Sequence, residues 1–182
     1  MYARQIDKML RTDRYTRSSY LGVFPADRLP QKITNFPSAL VVNTDPHQLP
    51  GSHWVAFYFT DKKEGEFMDS YGHSPGFYHP AFEQFLKRNS TRWTYNHTSL
   101  QHPLSDVCGQ YAIFYVLHRS RQVNPNKIIN MFGRDKAHND FLVRRFIHRR
   151  YLNSSSSGAE TDFNQCVHKR CDNEQLQNNN RV

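Results

Sequence analysis

Residues 108–118 read Cys-Gly-Gln-Tyr-Ala-Ile-Phe-Tyr-Val-Leu-His, an apolar stretch with a cysteine at its start. On a helix, its apolar side chains would cover nearly the whole circumference, which is typical of a helix buried at the centre of a domain. Ser105 or Asp106, just before the stretch, is the expected N-cap. The sequence therefore predicts a central helix that begins near Cys108.

The rest of the chain alternates between strand and helix patterns. Runs rich in β-branched or aromatic residues predict strands at residues 38–43, 55–60, 66–71 and 93–95. The polar loop 61–65, which contains a glycine, joins two of these strands into a predicted hairpin. Apolar residues at helical spacing predict further helices at residues 6–10, 82–86 and 137–151. A hairpin-rich sheet with separate helices predicts the α+β class.

Length and composition fit one globular domain with a polar tail. The chain has 182 residues, and its 14% aromatic content is too high for a wholly disordered protein. Residues 153–182 start with a serine run and end with asparagine and glutamine, so we expect a folded domain at 1–152 and a flexible tail at 153–182. No apolar run approaches the ~20 residues of a membrane span, and no signal-peptide core follows Met1. We expect a soluble, intracellular monomer without a membrane partner.

The cysteine content argues against a disulfide framework and against a metal site. Cys108, Cys166 and Cys171 are too few and too unevenly spaced for a disulfide framework. Cys166 and Cys171, with His168 between them, fall short of the four ligands of a structural zinc site. We therefore expect no metal and no small-molecule cofactor.

Positive charge is concentrated in the predicted domain. The chain has 24 basic and 16 acidic residues. Residues 152–182 hold three of the basic and four of the acidic residues. Residues 1–151 therefore hold 21 basic and 12 acidic residues, a net charge of +9. Such a field attracts polyanions, and nucleic acid is the commonest intracellular one. The alternative is that the charge serves solubility alone.

Cys108 is the most informative position for chemistry. In the first turn of a helix, unpaired backbone N–H groups and the helix dipole favour an anion, which makes a thiol a better nucleophile. Gly109 would leave room for a substrate backbone to approach. The alternative is that Cys108 is only a small buried residue at the start of a core helix.

Three polar residues upstream suggest partners for this thiol. His53 precedes the strand 55–60, and Asp69 is expected on the return strand of the same hairpin, where it would orient the imidazole. The resulting cation would stabilise the Cys108 thiolate. Gln101, in the loop before the cysteine, would supply an oxyanion donor beside the Cys108 backbone N–H. Individually, His53 could be a surface-loop histidine and Asp69 a strand-end cap; the ordered set is more specific.

With these residues in place, the chain resembles the adenovirus-type cysteine endopeptidases (adenain) and their relatives in adenovirus-like viruses and Maverick/Polinton elements. The similar segments are residues 20–24, 39–44, 51–57, 69–72 and 101–109. The resemblance implies His53 as general base and Asp69, where adenain has Glu, as its orienting group. It implies Gln101 as oxyanion donor and Cys108 as nucleophile. It also implies a mixed central sheet with the cysteine-bearing helix on one face and Trp54 as a wall of the cleft.

The resemblance further implies a substrate, a cofactor and a location. Adenain-like enzymes cleave virion precursor proteins after small, Gly-containing motifs during maturation, in the host nucleus and the virion, with DNA as a sequence-nonspecific cofactor. The predicted DNA contacts are Arg144, Arg145, Arg149 and Arg150; the alternative is a solvated helix face. Adenain binds an activating peptide through a disulfide, but residues 88–93 contain no cysteine here. An activating peptide would therefore bind non-covalently.

Two other functions remain open. Ulp/sentrin-type proteases, which remove SUMO-like modifiers, share this fold and the same order of catalytic residues. The interval from Gln101 to Cys108 is one residue longer than their usual loop, which favours the adenoviral branch. A DNA-binding protein that kept a protease fold without activity is the third possibility, against which the complete residue set argues.

Overall fold

The computed structural model describes residues 1–153, and it describes side chains as far as residue 150. In chain order the elements are α1 (Ala3–Thr12), β1 (Tyr20–Pro25), β2 (Ser38–Asn43), β3 (Trp54–Phe59), β4 (Glu64–Met68), α2 (Pro75–Tyr78), α3 (Pro80–Asn89), β5 (Arg92–Tyr95), α4 (Cys108–Arg119), α5 (Pro125–Ile129) and α6 (Lys136–Asn153). None of the helices in this part of the chain combines the length and apolar character needed to cross a membrane.

The chain divides into two units, Met1–His148 and Arg149–Val182. The sheet and its packing belong to the first unit. Helix α6 contains the boundary and ends at Asn153, the first residue of the predicted tail. The remainder of that tail, residues 154–182, lies outside the described residues, so its predicted flexibility stays a prediction.

A five-stranded mixed sheet of order β1-β2-β3-β4-β5 organises the first unit. The outer pairs, β1 with β2 and β4 with β5, are parallel, and the inner pairs are antiparallel. The predicted hairpin is confirmed as β3 and β4, and the structure confirms the α+β class.

Both faces of the sheet are covered, which explains why β3 and the middle of β2 are apolar. On one face, Phe57 and Phe59 of β3 pack edge-on against Phe85 of α3. On the other, Ala56 and Tyr58 join the core that includes α4. Of the twelve residues of α4, Gln110 alone is not buried, as the apolar pattern predicts.

The predicted N-cap of α4 is wrong. The N-cap of α4 is Val107, without a side-chain hydrogen bond, because the predicted caps are engaged elsewhere. The Ser105 hydroxyl donates to the carbonyl of His102 at 3.0 Å, and the Asp106 carboxylate accepts from Arg144 at 2.7 Å.

The return strand of the hairpin is also shifted. It begins at Glu64 because the Asp61 carboxylate accepts two backbone N–H groups and closes the turn early. It ends at Met68, since the N–H of Asp69 donates to the Asn96 side chain rather than to a strand. Asp69 therefore follows the strand instead of lying on it.

A buried ion pair joins the sheet to α4. The guanidinium of Arg119 donates twice to the Glu66 carboxylate, both at 2.7 Å, and the hydroxyl of Tyr115 donates to it at 2.7 Å. Both charged side chains are more than nine-tenths buried. Removal of one partner would leave a charge without compensation in the core.

We predict that Arg119→Met lowers the free energy of unfolding by about 3 to 5 kcal/mol, the usual result of breaking a buried pair. Urea denaturation followed by circular dichroism measures the change. Arg92→Met is the matched control, because it removes an equally close but exposed pair with Glu64, worth about 0 to 1 kcal/mol. Equal losses in the two variants would contradict the prediction.

Candidate active site

The hairpin brings His53 and Asp69 together. His53 immediately precedes β3, and its carbonyl accepts the N–H of Thr44 at 2.9 Å, which extends the pairing with the neighbouring strand. Since β3 and β4 are antiparallel, the start of one lies beside the end of the other, where Asp69 follows. The Nε2 atom of His53 lies 2.6 Å from Oδ1 of Asp69.

Asp69 is fully buried, and four donors surround its carboxylate. Besides His53, it accepts the backbone N–H groups of Tyr71 at 3.1 Å and His73 at 2.8 Å, and the hydroxyl of Tyr78 at 3.0 Å. Burial by itself raises the pKa of this carboxyl group. The hydrogen bond and charge of His53, with the two backbone donors, outweigh burial and hold the pKa below its ordinary value of 3.8.

Cys108 is the first residue of α4, and its thiol lies near enough to His53 for each group to shift the pKa of the other. Since Asp69 occupies Nε2, Nδ1 is the ring nitrogen that remains for the thiol. Burial disfavours the thiolate, but His53 and the backbone N–H groups of Trp54 and Gly109 lower the pKa of Cys108 below its ordinary value of 9.0.

The imidazole shows the opposite shift. Burial disfavours the cation of His53, but the hydrogen bonds and charges of Asp69 and Cys108 outweigh it and raise the pKa of His53 to about 9. A lowered thiol pKa and a raised imidazole pKa together favour a thiolate–imidazolium pair at neutral pH.

Gln101 is fully buried beside the residues that follow Asp69. Its backbone N–H donates to the carbonyl of Ser70 at 3.0 Å, and its side-chain oxygen accepts the Ser70 hydroxyl at 2.6 Å. Its side-chain nitrogen donates to the carbonyl of Ser105 at 2.8 Å and to the hydroxyl of Tyr71 at 3.2 Å. The carboxamide therefore has one fixed orientation.

Ser70, Tyr71 and Tyr78 belong to this site although the sequence analysis gave them no role. The ring of Tyr71 stacks on His53 with centroids 4.9 Å apart, and Tyr78 stacks at 5.3 Å. The turn that contains Tyr71 requires a glycine at position 72. The φ of Gly72 is +78°, and a Cβ there would lie 2.7 Å from the backbone of Thr98. In the sequence, the glycine directly after Tyr71 is the signal that could have indicated a turn at residues 69–72.

The expected open space beside Gly109 is filled by the chain itself. A Cβ at this glycine would lie 3.3 Å from the side chains of Met1 and Trp54. The indole N–H of Trp54 donates to the carbonyl of Met1 at 3.1 Å. Gly109 therefore allows close packing of the N-terminal segment rather than approach of a substrate, and that prediction is wrong.

The arginines predicted to contact DNA all lie on α6. Arg144 and Arg145 belong to the first unit, and Arg144 binds Asp106. Arg149 and Arg150 belong to the second; Arg149 is exposed and Arg150 half-buried. Within residues 1–150, no group of three or more His, Cys, Asp or Glu side chains could hold a metal ion. Cys166 and Cys171 lie outside the described residues.

A thiol near a histidine that a buried carboxylate orients is the side-chain set of the cysteine peptidases. The chain is similar to a cysteine protease of African swine fever virus, with 31% identity over 99 residues. That match covers 50% of this chain and 36% of the viral protein, so the chain spans only about a third of its relative. No protein-family model matches the chain. Sequence similarity and site together support the class of cysteine peptidases.

Two solved structures overlap with the fold in part. The crystal structure of the African swine fever virus protease is 26% identical and has a TM-score of 0.37, over 58% of this chain and 43% of that one. The central domain of a Legionella pneumophila protein is 14% identical and has a TM-score of 0.48, over 82% and 98%. Neither TM-score reaches 0.5, so the description of the fold rests on the topology given above.

We predict that iodoacetamide alkylates Cys108 well below pH 8 and that His53→Ala moves the alkylation midpoint upward. The reason is that His53 stabilises the thiolate as long as it is protonated, which it remains up to about pH 9. Peptide mapping by mass spectrometry across a pH series separates Cys108 from the two other cysteines.

His47→Ala is the matched control for this measurement. His47 also binds a carboxylate, that of Asp27 at 2.6 Å, but outside the site. We expect the control to alkylate like the unmodified chain. A midpoint for Cys108 near 9 in all three proteins would contradict the ion pair.

Proposed function

We propose that this chain is a cysteine endopeptidase of the adenain/Ulp-type fold that cleaves virion precursor proteins after small, Gly-containing motifs. The single observation that carries the enzymatic part is that His53, just before β3, binds the buried Asp69 carboxylate and interacts electrostatically with the Cys108 thiol. The substrate class, the monomeric state and the action in the host nucleus and virion are supported by the resemblance to adenain described above.

The reaction follows from the ionisation of the site. The Cys108 thiolate attacks the substrate carbonyl carbon, a C–S bond forms, and the carbonyl electron pair moves to the oxygen. As the C–N bond breaks, the His53 imidazolium donates its proton to the leaving amine. His53 then takes a proton from water, which attacks the thioester, and the thiolate leaves. Asp69 keeps the imidazole in one orientation throughout.

DNA is the proposed cofactor, with exposed arginines of α6 as phosphate contacts. Since Asp106 holds Arg144, Arg145 and Arg149 are the stronger candidates. The resemblance also supports an activating peptide. This peptide would bind non-covalently, because residues 88–93 contain no cysteine.

We predict that the chain hydrolyses a Gly-rich octapeptide library, with or without duplex DNA, and that Cys108→Ala abolishes the activity. Asp69→Asn should lower kcat about 10²-fold or more, since the imidazole loses its oriented, charge-stabilised state. Mass spectrometry of the products locates the cleaved bonds. Rapid labelling of Cys108 by a ubiquitin-like suicide probe, with the peptides left intact, would instead favour removal of a modifier.

We predict that duplex DNA binding weakens steeply between 50 and 200 mM salt, as phosphate contacts require. Fluorescence anisotropy gives the slope of log K against log salt. The double substitution Arg145→Gln and Arg149→Gln should reduce that slope by about 2, since each phosphate contact contributes about 0.9. Arg92→Gln, on β5, is the control. DNA binding that no salt concentration alters would contradict the proposal, and binding without hydrolysis under any condition would favour a DNA-binding protein that lacks activity.

A further inference from the structure

Ser70 joins two residues of the candidate site. It directly follows Asp69 in the chain, and its carbonyl accepts the backbone N–H groups of Leu100 at 2.8 Å and Gln101 at 3.0 Å. Its hydroxyl donates to the side-chain oxygen of Gln101 at 2.6 Å. Both Ser70 and Gln101 are fully buried, so water cannot take the place of these bonds.

The hydroxyl of Ser70 helps to decide which end of the Gln101 carboxamide points where. The oxygen and nitrogen of an amide are similar in size, so hydrogen-bond partners rather than packing determine its orientation. The Ser70 hydroxyl is the one donor to the amide oxygen among the described residues, and the Ser105 carbonyl accepts from the amide nitrogen at 2.8 Å. With the amide turned over, its oxygen would face the Ser105 carbonyl with no hydrogen between them. The nitrogen is therefore held at the end away from Ser70.

One hydrogen on this nitrogen is less firmly bound than the other. It goes to the hydroxyl of Tyr71 at 3.2 Å, the longest of the three hydrogen bonds that the Gln101 side chain makes. A negatively charged oxygen is a stronger acceptor than a neutral phenol. This hydrogen can pass to an oxyanion while the bonds to Ser70 and Ser105 keep the amide in place.

We propose that Ser70 is a positioning residue that holds the Gln101 carboxamide in the orientation of an oxyanion donor. The proposal rests on the proposed peptidase function, in which Gln101 contacts the oxyanion. When the Cys108 thiolate forms its bond to the carbonyl carbon, the electron pair on oxygen accepts the Gln101 side-chain N–H and the Cys108 backbone N–H. Ser70 touches neither the substrate nor the reacting atoms. Without its hydroxyl, the Gln101 oxygen would be a buried acceptor without a donor, which disfavours this orientation.

The experiment compares Ser70→Ala, Gln101→Ala and the double variant by steady-state peptide hydrolysis. Gln101→Ala should lower kcat about 10²-fold or more, the usual loss for one oxyanion donor. Ser70→Ala should lower kcat about 10-fold with KM within twofold, since the donor is present but less well oriented. Because Ser70 acts through Gln101, its substitution should change kcat less than twofold in the Gln101→Ala background.

Two further measurements separate this role from a merely structural one. A peptidyl aldehyde forms a tetrahedral adduct with an oxyanion, so its affinity should fall in Ser70→Ala about as much as kcat. Alkylation of Cys108 by iodoacetamide forms no oxyanion and should keep its wild-type pH profile, because the Ser70 hydroxyl makes no bond to Asp69 or His53.

Ser90→Ala is the matched control. Ser90 is also buried, and its hydroxyl donates to the carbonyl of Leu86 at 2.8 Å, outside the site. This variant loses a similar hydrogen bond and should change neither kcat nor the affinity for the aldehyde. Ser70→Thr keeps the hydroxyl and should keep kcat within threefold of wild type. If Ser70→Ala does not fold, Ser70→Cys replaces it, with a weak S–H donor and a loss in kcat of the same sign.

The outcomes distinguish the role of Ser70 from the peptidase function. An active wild type with Ser70→Ala within twofold of it overturns the role of Ser70 alone. A loss in Ser70→Ala that persists in the Gln101→Ala background, or that comes with a shifted alkylation profile, also overturns it. A wild-type chain that hydrolyses no peptide and binds no aldehyde overturns the peptidase function, and the role of Ser70 with it.

Discussion

The site depends on a carboxylate that is fully buried at the end of a hairpin strand. A buried charge is expensive unless hydrogen bonds satisfy it, and Asp69 accepts them from two backbone N–H groups, an imidazole and a phenol. The two backbone hydrogen bonds fix the conformation of the turn after β4. They also fix the rings that pack around His53, so the orientation of the imidazole follows from satisfying the carboxylate.

The sequence predicted the elements that a single periodicity determines. Residues 38–43 were identified as a buried strand because residues 39–42 form an unbroken apolar run, and both faces of that strand are indeed covered. Helix α4 was predicted for the same reason. The site set was found by its order along the chain, and the hairpin placed His53 next to Asp69 because antiparallel strands bring their opposite ends together.

The remaining local predictions were limited because side chains have several possible partners, and only the packed structure decides among them. Ser105 and Asp106 both have the chemistry of an N-cap, but each found another partner, and no local pattern reveals that Arg144, 38 residues further on, binds Asp106. Gly109 suggested an opening only because its neighbours were unknown. The contacts of Tyr71 and Tyr78 depend on how the turn at Gly72 returns the chain, which is a property of the packed structure.

The ionisation of the site is decided by the same competition. Burial acts against both charged forms, raising the pKa of Cys108 and lowering that of His53. The partner groups reverse both directions through hydrogen bonds and charge, with two backbone N–H groups assisting at Cys108. A cysteine and a histidine in the right order are therefore insufficient for a reactive thiol. The α4 end that carries Cys108 and the sheet end that carries His53 must also be held close together. The packing of α4 against β3 does this, so the hydrophobic core is what keeps the thiolate stable.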